Sequence, residues 1–267
     1  GDRVAWEIID GVPSTPAPDG EVANLKGFRG GQTEPGDDVG IWSSLAIQSN
    51  GQPAVAYYDR SNKALKYASF NGTAWEIAIV QDEPLADVGK YAKLAFDGDT
   101  AVIAYQTLEP SEGAGFISSK VRLVRQTGNG FTFEDIAVSE DTPCRSGFCG
   151  GGTQCVADVG LCANTGTTCG TCATGEDCVT VDGADSCQVL LTNAKIEPYP
   201  VATGLYIALA EIPGGGIGVA YYDRVVGTLN IAAKGADAWE SVVVDGGPQT
   251  DGTVSDVGVG ASLFISD

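Results

Sequence analysis

The 267-residue chain contains no histidine and no methionine. Without an imidazole there is no Ser-His-Asp or Cys-His catalytic set and no His-ligated metal site. The missing methionine points to a mature, processed start. The opening "GDRVAWEII" is no signal peptide, so any such segment has been removed or never existed. Bases are also scarce: 15 Lys and Arg face 35 Asp and Glu, for a net charge of −20. A nucleic-acid partner would require clustered bases against its phosphates, so that class is excluded, and an anionic membrane surface is disfavoured for the same reason. No apolar run approaches the roughly 20 residues of a membrane span. The acidity fits solubility outside the cell, and it leaves room for cation binding or a saline habitat.

Glycine, by contrast, is abundant: 37 residues, about twice the roughly 7% usual share. Many short elements joined by tight turns are the expected consequence. Their order follows from self-comparison. Gly followed five residues later by Leu occurs at Gly40/Leu45, Gly89/Leu94, Gly204/Leu209 and Gly258/Leu263. Three of these follow Asp-Val, at Asp38, Asp87 and Asp256. Second runs come next, "PAVAYYD", "AVIAYQT" and "IGVAYYD", then third runs, "ALKYASF", "VRLVRQT" and "TLNIAAK". Fourth runs close each unit: "AWEIAIV", "FTFEDIAV" and "AWESVVV".

Apolar residues two apart in runs of five to eight mark strands. Asn50-Gly51, Asp97-Gly98 and Gly214-Gly215 lie between the first and second runs, and Asn71-Gly72 and Asn129-Gly130 between the third and fourth. Such pairs accept the positive φ of hairpin turns. Four antiparallel strands per unit of about 50 residues is the plan of a β-propeller blade. The fold class expected is therefore all-β, a propeller of four-stranded antiparallel blades; a β-sandwich would not need the same words in each unit. The Ala- and Ser-rich first run, carrying Leu45, Leu94 or Leu209, belongs at the crowded axis, and the Trp-bearing fourth run at the periphery.

These repeats resemble the blades of exported bacterial β-propeller proteins of the broad sialidase-like and lectin-like kind. The resemblance implies the architecture; it does not extend to sialidase activity, because the Asp box S-x-D-x-G-x-T-W is missing and "NGTAW" from Asn71 only echoes it.

Three whole blades run from Gly40 to about Val80, Gly89 to Val138 and Gly204 to Val244. A lone fourth strand, "VAWEIID" around Trp6, precedes them, and a lone first strand, "GASLFISD", follows. Propellers use about 4–8 blades. Either the chain is part of a longer protein, or a second chain or copy completes the ring, even as a filament, through open strand edges. The domain plan is thus propeller over 1–138, an insert over 139–200, and propeller again over 201–267.

The insert holds all eight cysteines: Cys144, Cys149, Cys155, Cys162, Cys169, Cys172, Cys178 and Cys187. Density and even count give a framework of up to four disulfides, with about 105 possible pairings. "CGTC" at Cys169 and Cys172 also fits a zinc or redox unit, but no second C-x-x-C accompanies it at zinc-ribbon spacing. Disulfides imply an oxidising compartment: secreted, cell-surface or periplasmic.

Aromatic residues recur two places after the repeat Gly, at Trp42, Tyr91 and Tyr206, and on the second strand at Tyr58 and Tyr222. Rings beside carboxylates suit glycans, although inter-blade packing is the plainer explanation. Asp38, Asp87 and Asp256 would form a carboxylate ring at one mouth of the channel, suited to Ca²⁺, or simply cap turns. No catalytic residue can be named. The stretch from Thr107 to Lys120 lacks repeat counterparts and is where an active site would break the symmetry. The function expected is an exported, non-enzymatic propeller, adhesive, ligand-binding or assembly-forming; the alternative is a glycoside hydrolase or polysaccharide lyase working at the channel mouth.

Overall fold

The computed structural model describes residues 7–11, 36–111, 116–128, 130–146, 148–191, 200–236 and 238–266. Of the expected strand at 4–10, residues 4–6 fall outside them and 7–10 form no strand. The first blade consists of β1 (Val39–Ile47), β2 (Pro53–Asp59), β3 (Ala64–Phe70) and β4 (Trp75–Gln81). The second has longer strands, β5 (Asp87–Asp97), β6 (Thr100–Pro110), β7 (Ile117–Thr127) and β8 (Gly130–Thr142). The insert follows, with β9 (Gln154–Val156), β10 (Leu161–Thr165), β11 (Glu176–Val181) and β12 (Ala184–Val189). The third blade is β13 (Thr203–Glu211), β14 (Ile217–Asp223), β15 (Thr228–Lys234) and β16 (Trp239–Pro248), to which the short β17 (Val254–Ser255) adds an outer edge. All pairings are antiparallel between sequence neighbours.

The protein is an all-β propeller-type assembly with a disulfide-rich insert. Its first strands face one another: β5 packs against β1 on one side and β13 on the other. Leu45, Leu94 and Leu209 thus lie on hub-side strands, as the small-residue pattern requires. Blades one and two meet over Ala54, Ala56, Leu65 and Tyr67 on one side and Leu94, Ile103, Tyr105 and Val124 on the other. Blades two and three meet over Val102, Ala104, Val121 and Leu123 against Leu205, Ile207, Val219 and Tyr221. Alanines in the middle of each sheet let neighbouring blades approach closely near the axis.

Most turns follow the expected chemistry: Gly51, Gly72, Gly98, Gly214 and Gly215 all have positive φ. One differs. Gly130 opens β8, and Gly128 takes the positive φ instead, because Thr127 pairs directly with Gly130. The third blade also runs past Val244, since β16 continues to Pro248 to meet β17.

The insert resolves the pairing question. Bridges join Cys144 to Cys155, Cys149 to Cys162, Cys169 to Cys178 and Cys172 to Cys187. These are two consecutive units of one pattern. In each, the third and fourth cysteines face one another across a hairpin, Cys155 with Cys162 and Cys178 with Cys187. The first and second cysteines come from the preceding loop and cross over to them. Cys169 and Cys172 are bridged elsewhere, so the C-x-x-C is neither a dithiol nor a zinc half-site. Asp185 ties the second unit together by accepting from the Thr167 and Thr168 amides and the Thr168 and Thr180 hydroxyls at 2.6–2.8 Å.

Candidate functional site

Each inner strand breaks its ladder at the same place. Register shifts flank Ile41 in β1, Lys90 in β5 and Leu205 in β13. The repeat glycines before these positions, Gly40, Gly89 and Gly204, have φ of 93°, 102° and 84°. The residues after them are aromatic and also left-handed: Trp42 at 52°, Tyr91 at 54° and Tyr206 at 50°. Positive φ is uncommon for bulky residues and costs on the order of 1–3 kcal/mol each. The irregularity turns each ring out of the pleat and towards the axis, as β-bulges characteristically do.

The rings meet there. Trp42 lies 4.7 Å from Tyr91 between centroids, and Tyr91 lies 5.4 Å from Tyr206. Tyr58 joins at 5.3 Å from Trp42, and Tyr222 at 6.5 Å from Tyr206. All five aromatic residues expected from the sequence therefore form one continuous file. The fourth repeat, starting at Gly258, has Gly260 where the others carry a ring, still left-handed at 68°. A cavity of about 260 Å³ opens beside it, lined by Trp42, Tyr91, Lys93, Tyr206, Ile207, Gly260 and Ala261. Sequence reading passed over Gly260, although counting two places from Gly258 finds it; nothing local marked Lys93 or Ile207.

Tyr58 and Tyr222 are fully buried, and their hydroxyls are committed. Tyr58 donates to Asp87 at 2.7 Å, and Tyr222 donates to Asp256. Each bond runs from the second strand of one blade to the entry of the next inner strand. Between blades two and three, Gln106 occupies the Tyr position and Ala202 the Asp position. There the Gln106 amide donates to the Thr203 carbonyl at 2.6 Å. Tyr and Asp are thus replaced together where the latch changes chemistry.

Of the three repeat aspartates, Asp38 is set apart: its carboxylate faces Arg60 at 3.5 Å. Asp87 also holds Lys90, whose ammonium lies 2.9 Å away and is almost wholly buried. Burial lowers the pKa of Lys90, opposed by the Asp87 charge. Burial, and then the Asp87 charge, push Tyr58 well above the ordinary phenol value. The three carboxylates are not gathered into one ligand set. Among the described residues, the only groups of three potential metal-binding side chains with ligand atoms within 4.8 Å are cysteines already bridged as disulfides.

A second feature breaks the repeat symmetry. Blade two carries a charged groove on its face towards blade one, where Glu83, Arg122, Asp135, Lys120 and Glu109 form a chain of ion pairs. The positions of Arg122 and Asp135 are Lys66 and Ile79 in blade one, and Asn230 and Val243 in blade three. Two cavities, of about 480 and 620 Å³, lie along it. Part of the expected asymmetric stretch lies here, at Glu109, Pro110, Ser111, Ser118 and Lys120; residues 112–115 lie outside the described residues.

A β-propeller with an axial aromatic cavity is the class that fold and site define. No protein-family model matches the chain, and no curated protein matches it. Among solved structures it is similar to a family 117 glycoside hydrolase of the marine bacterium Zobellia galactanivorans. Identity there is 13%, over 82% of this chain and 71% of that one, with a TM-score of 0.27. It is also similar to the lectin of Aleuria aurantia in complex with Fucalpha1-6GlcNAc, at 13% identity over 85% of this chain and 66% of that one, with a TM-score of 0.23. At such identities and scores, neither likeness carries to this chain what those proteins bind or cleave.

Proposed function

We propose that this is an exported, non-enzymatic binding propeller that holds a single sugar ring in the axial cavity. One observation carries the reading: three strained aromatic residues converge on the axis, and the fourth equivalent position is a glycine that leaves the space open. Aromatic faces supply the apolar platform, and the Lys93 ammonium supplies a donor for hydroxyl or carboxylate groups, the mixed lining usual for small-molecule sites. A cavity of about 260 Å³ suits one ring and no more. So few ligand atoms imply weak binding, with Kd on the order of 1 mM. The four disulfides support export, since such bridges persist in oxidising compartments.

The test is a glycan array followed by tryptophan-fluorescence titration. Saccharides that bind should quench Trp42, and in calorimetric titrations Trp42→Ala and Gly260→Trp should each weaken binding at least tenfold without loss of fold. Absence of any glycan ligand, or unchanged affinity in both variants, removes the proposal. The groove of blade two favours one second reading, a carbohydrate-active enzyme using its unrepeated carboxylates. A polysaccharide-hydrolysis screen that showed turnover, lost in Glu109→Gln, would replace the first reading with the second.

A further inference from the structure

Blade two has a second cavity of its own making, and we infer that it holds an aliphatic ammonium group, such as a polyamine or a lysine side chain carries. Its walls come from strands that only this blade extends. The β2–β3 ladder ends at the pair Asp59 and Ala64, and the β14–β15 ladder at Asp223 and Thr228. In blade two the equivalent pair is Thr107 and Lys120, and three more pairs follow: Leu108 with Ser119, Glu109 with Ser118, and Pro110 with Ile117.

The outer strand β8 follows this extension with a bulge. Ser139 pairs with Ser119 and Thr142 with Ile117, so Glu140 and Asp141 together stand opposite the single residue Ser118. In a regular strand, neighbouring side chains point to opposite faces. A bulge re-aims one of them, and here both carboxylates line one cavity of about 620 Å³. Glu109, Ser111, Ser118 and Lys120 line it too.

Ser118 is the centre of this arrangement. It lies between Glu109 on one neighbouring strand and the bulge on the other, on the face of β7 that also carries Lys120. Ser118 is 2% exposed, and its hydroxyl has no hydrogen-bond partner among the described residues. Buried hydroxyls are nearly always bonded, so an orphan one on a cavity wall marks a place for the polar atom of a ligand.

Charge selects that ligand. Glu109 is already matched by the Lys120 ammonium, while Glu140 accepts from the Ser111 hydroxyl at 2.7 Å. Three carboxylates against one ammonium leave the cavity with two unmatched negative charges, which disfavours an anion. No aromatic ring lines this end of the groove, so a sugar ring finds no platform. A bare metal ion fits badly, because among the described residues no three carboxylates bring ligand atoms within 4.8 Å of one another. An ammonium has three N–H donors and no acceptor. Glu140, Asp141 and the Ser118 oxygen supply three acceptors, two of them through charge-assisted bonds.

Calorimetric titration at about 0.15 M salt tests this, with spermidine in one arm and the peptide Gly-Lys-Gly in the other. Saturable one-site binding in either arm is expected; tighter binding of spermidine assigns a free polyamine, and tighter binding of the peptide assigns a lysine side chain. Ser118→Ala and Asp141→Asn should each weaken binding about fivefold or more, with unchanged near-ultraviolet circular dichroism. Glu240→Gln, which removes the same charge from an exposed site on blade three, should change affinity by less than about twofold. Absence of binding in both arms, unchanged affinity in either cavity variant, an equal loss in Glu240→Gln, or Ca²⁺ bound more tightly than either amine would each overturn the inference. Trp42→Ala should leave amine binding unchanged, so the outcome is separate from that of the axial sugar site.

Discussion

Lys90 shows how much a single side chain can matter. It replaces the aliphatic Ile41, Leu205 and Val259 of the other repeats, and its ammonium is matched by Asp87 at 2.9 Å. Removing one partner of a buried pair leaves an uncompensated charge, a loss of roughly 3–5 kcal/mol. Asp87→Ala should lower stability by about that amount in urea titrations, while Asp38→Ala, whose carboxylate faces partly exposed Arg60, should change it by less than about 1 kcal/mol. Equal effects would mean that the repeat aspartates are interchangeable.

The buried phenols give a pH signature. Burial first, then neighbouring carboxylates, raise Tyr57 and Tyr58 well above their ordinary value of 10.0, and burial does the same to Tyr105. A pKa raised by folding adds stability that is complete below the unfolded value and is lost as pH rises beyond it. Stability should therefore fall above about pH 10. Tyrosinate absorbance should show these three rings ionising together with unfolding and not before. A smooth titration of all nine tyrosines at the free-phenol pKa would contradict their burial.

At the scale of elements, the inner strand is the unit that matters, because its irregularity both aims a ring and brings the backbones of two blades close. A Cβ on Gly89 would sit 2.9 Å from Leu65 Cα, at a φ of 102°. Gly89→Ala combines a backbone clash with a disfavoured conformation and should cost about 1–3 kcal/mol, measurable by urea denaturation. The insert behaves as a separate element because its stability comes from covalent bridges. Closing loops of this size contributes about 3 kcal/mol per disulfide, and the blades contain no cysteine. Reduction should therefore expose 144–187 to proteolysis first, with most strand circular dichroism retained. Simultaneous loss of both would show that the blades depend on the insert.

Over the whole molecule, a net charge of −20 repels itself. Screening shortens that repulsion to about 8 Å at physiological ionic strength, so the melting temperature should rise between low salt and about 0.15 M in thermal scans. A fall would give attractive pairs, such as the chain from Glu83 to Glu109, the larger share.

The blades were legible in the sequence because each repeats one packing problem: small residues at the hub, alternating apolar positions within sheets, glycine at the turns. These are local constraints, written at the residues that obey them. The joint replacement of Tyr and Asp by Gln106 and Ala202 was also present, but only contact between blades gives it meaning. Disulfide partners, the file from Tyr58 to Tyr222 and the opening at Gly260 were decided by tertiary structure alone. The file and the opening depend on contacts between residues as far apart as Trp42 and Gly260, and the bridges on how each loop crosses its hairpin; no local pattern encodes such distances.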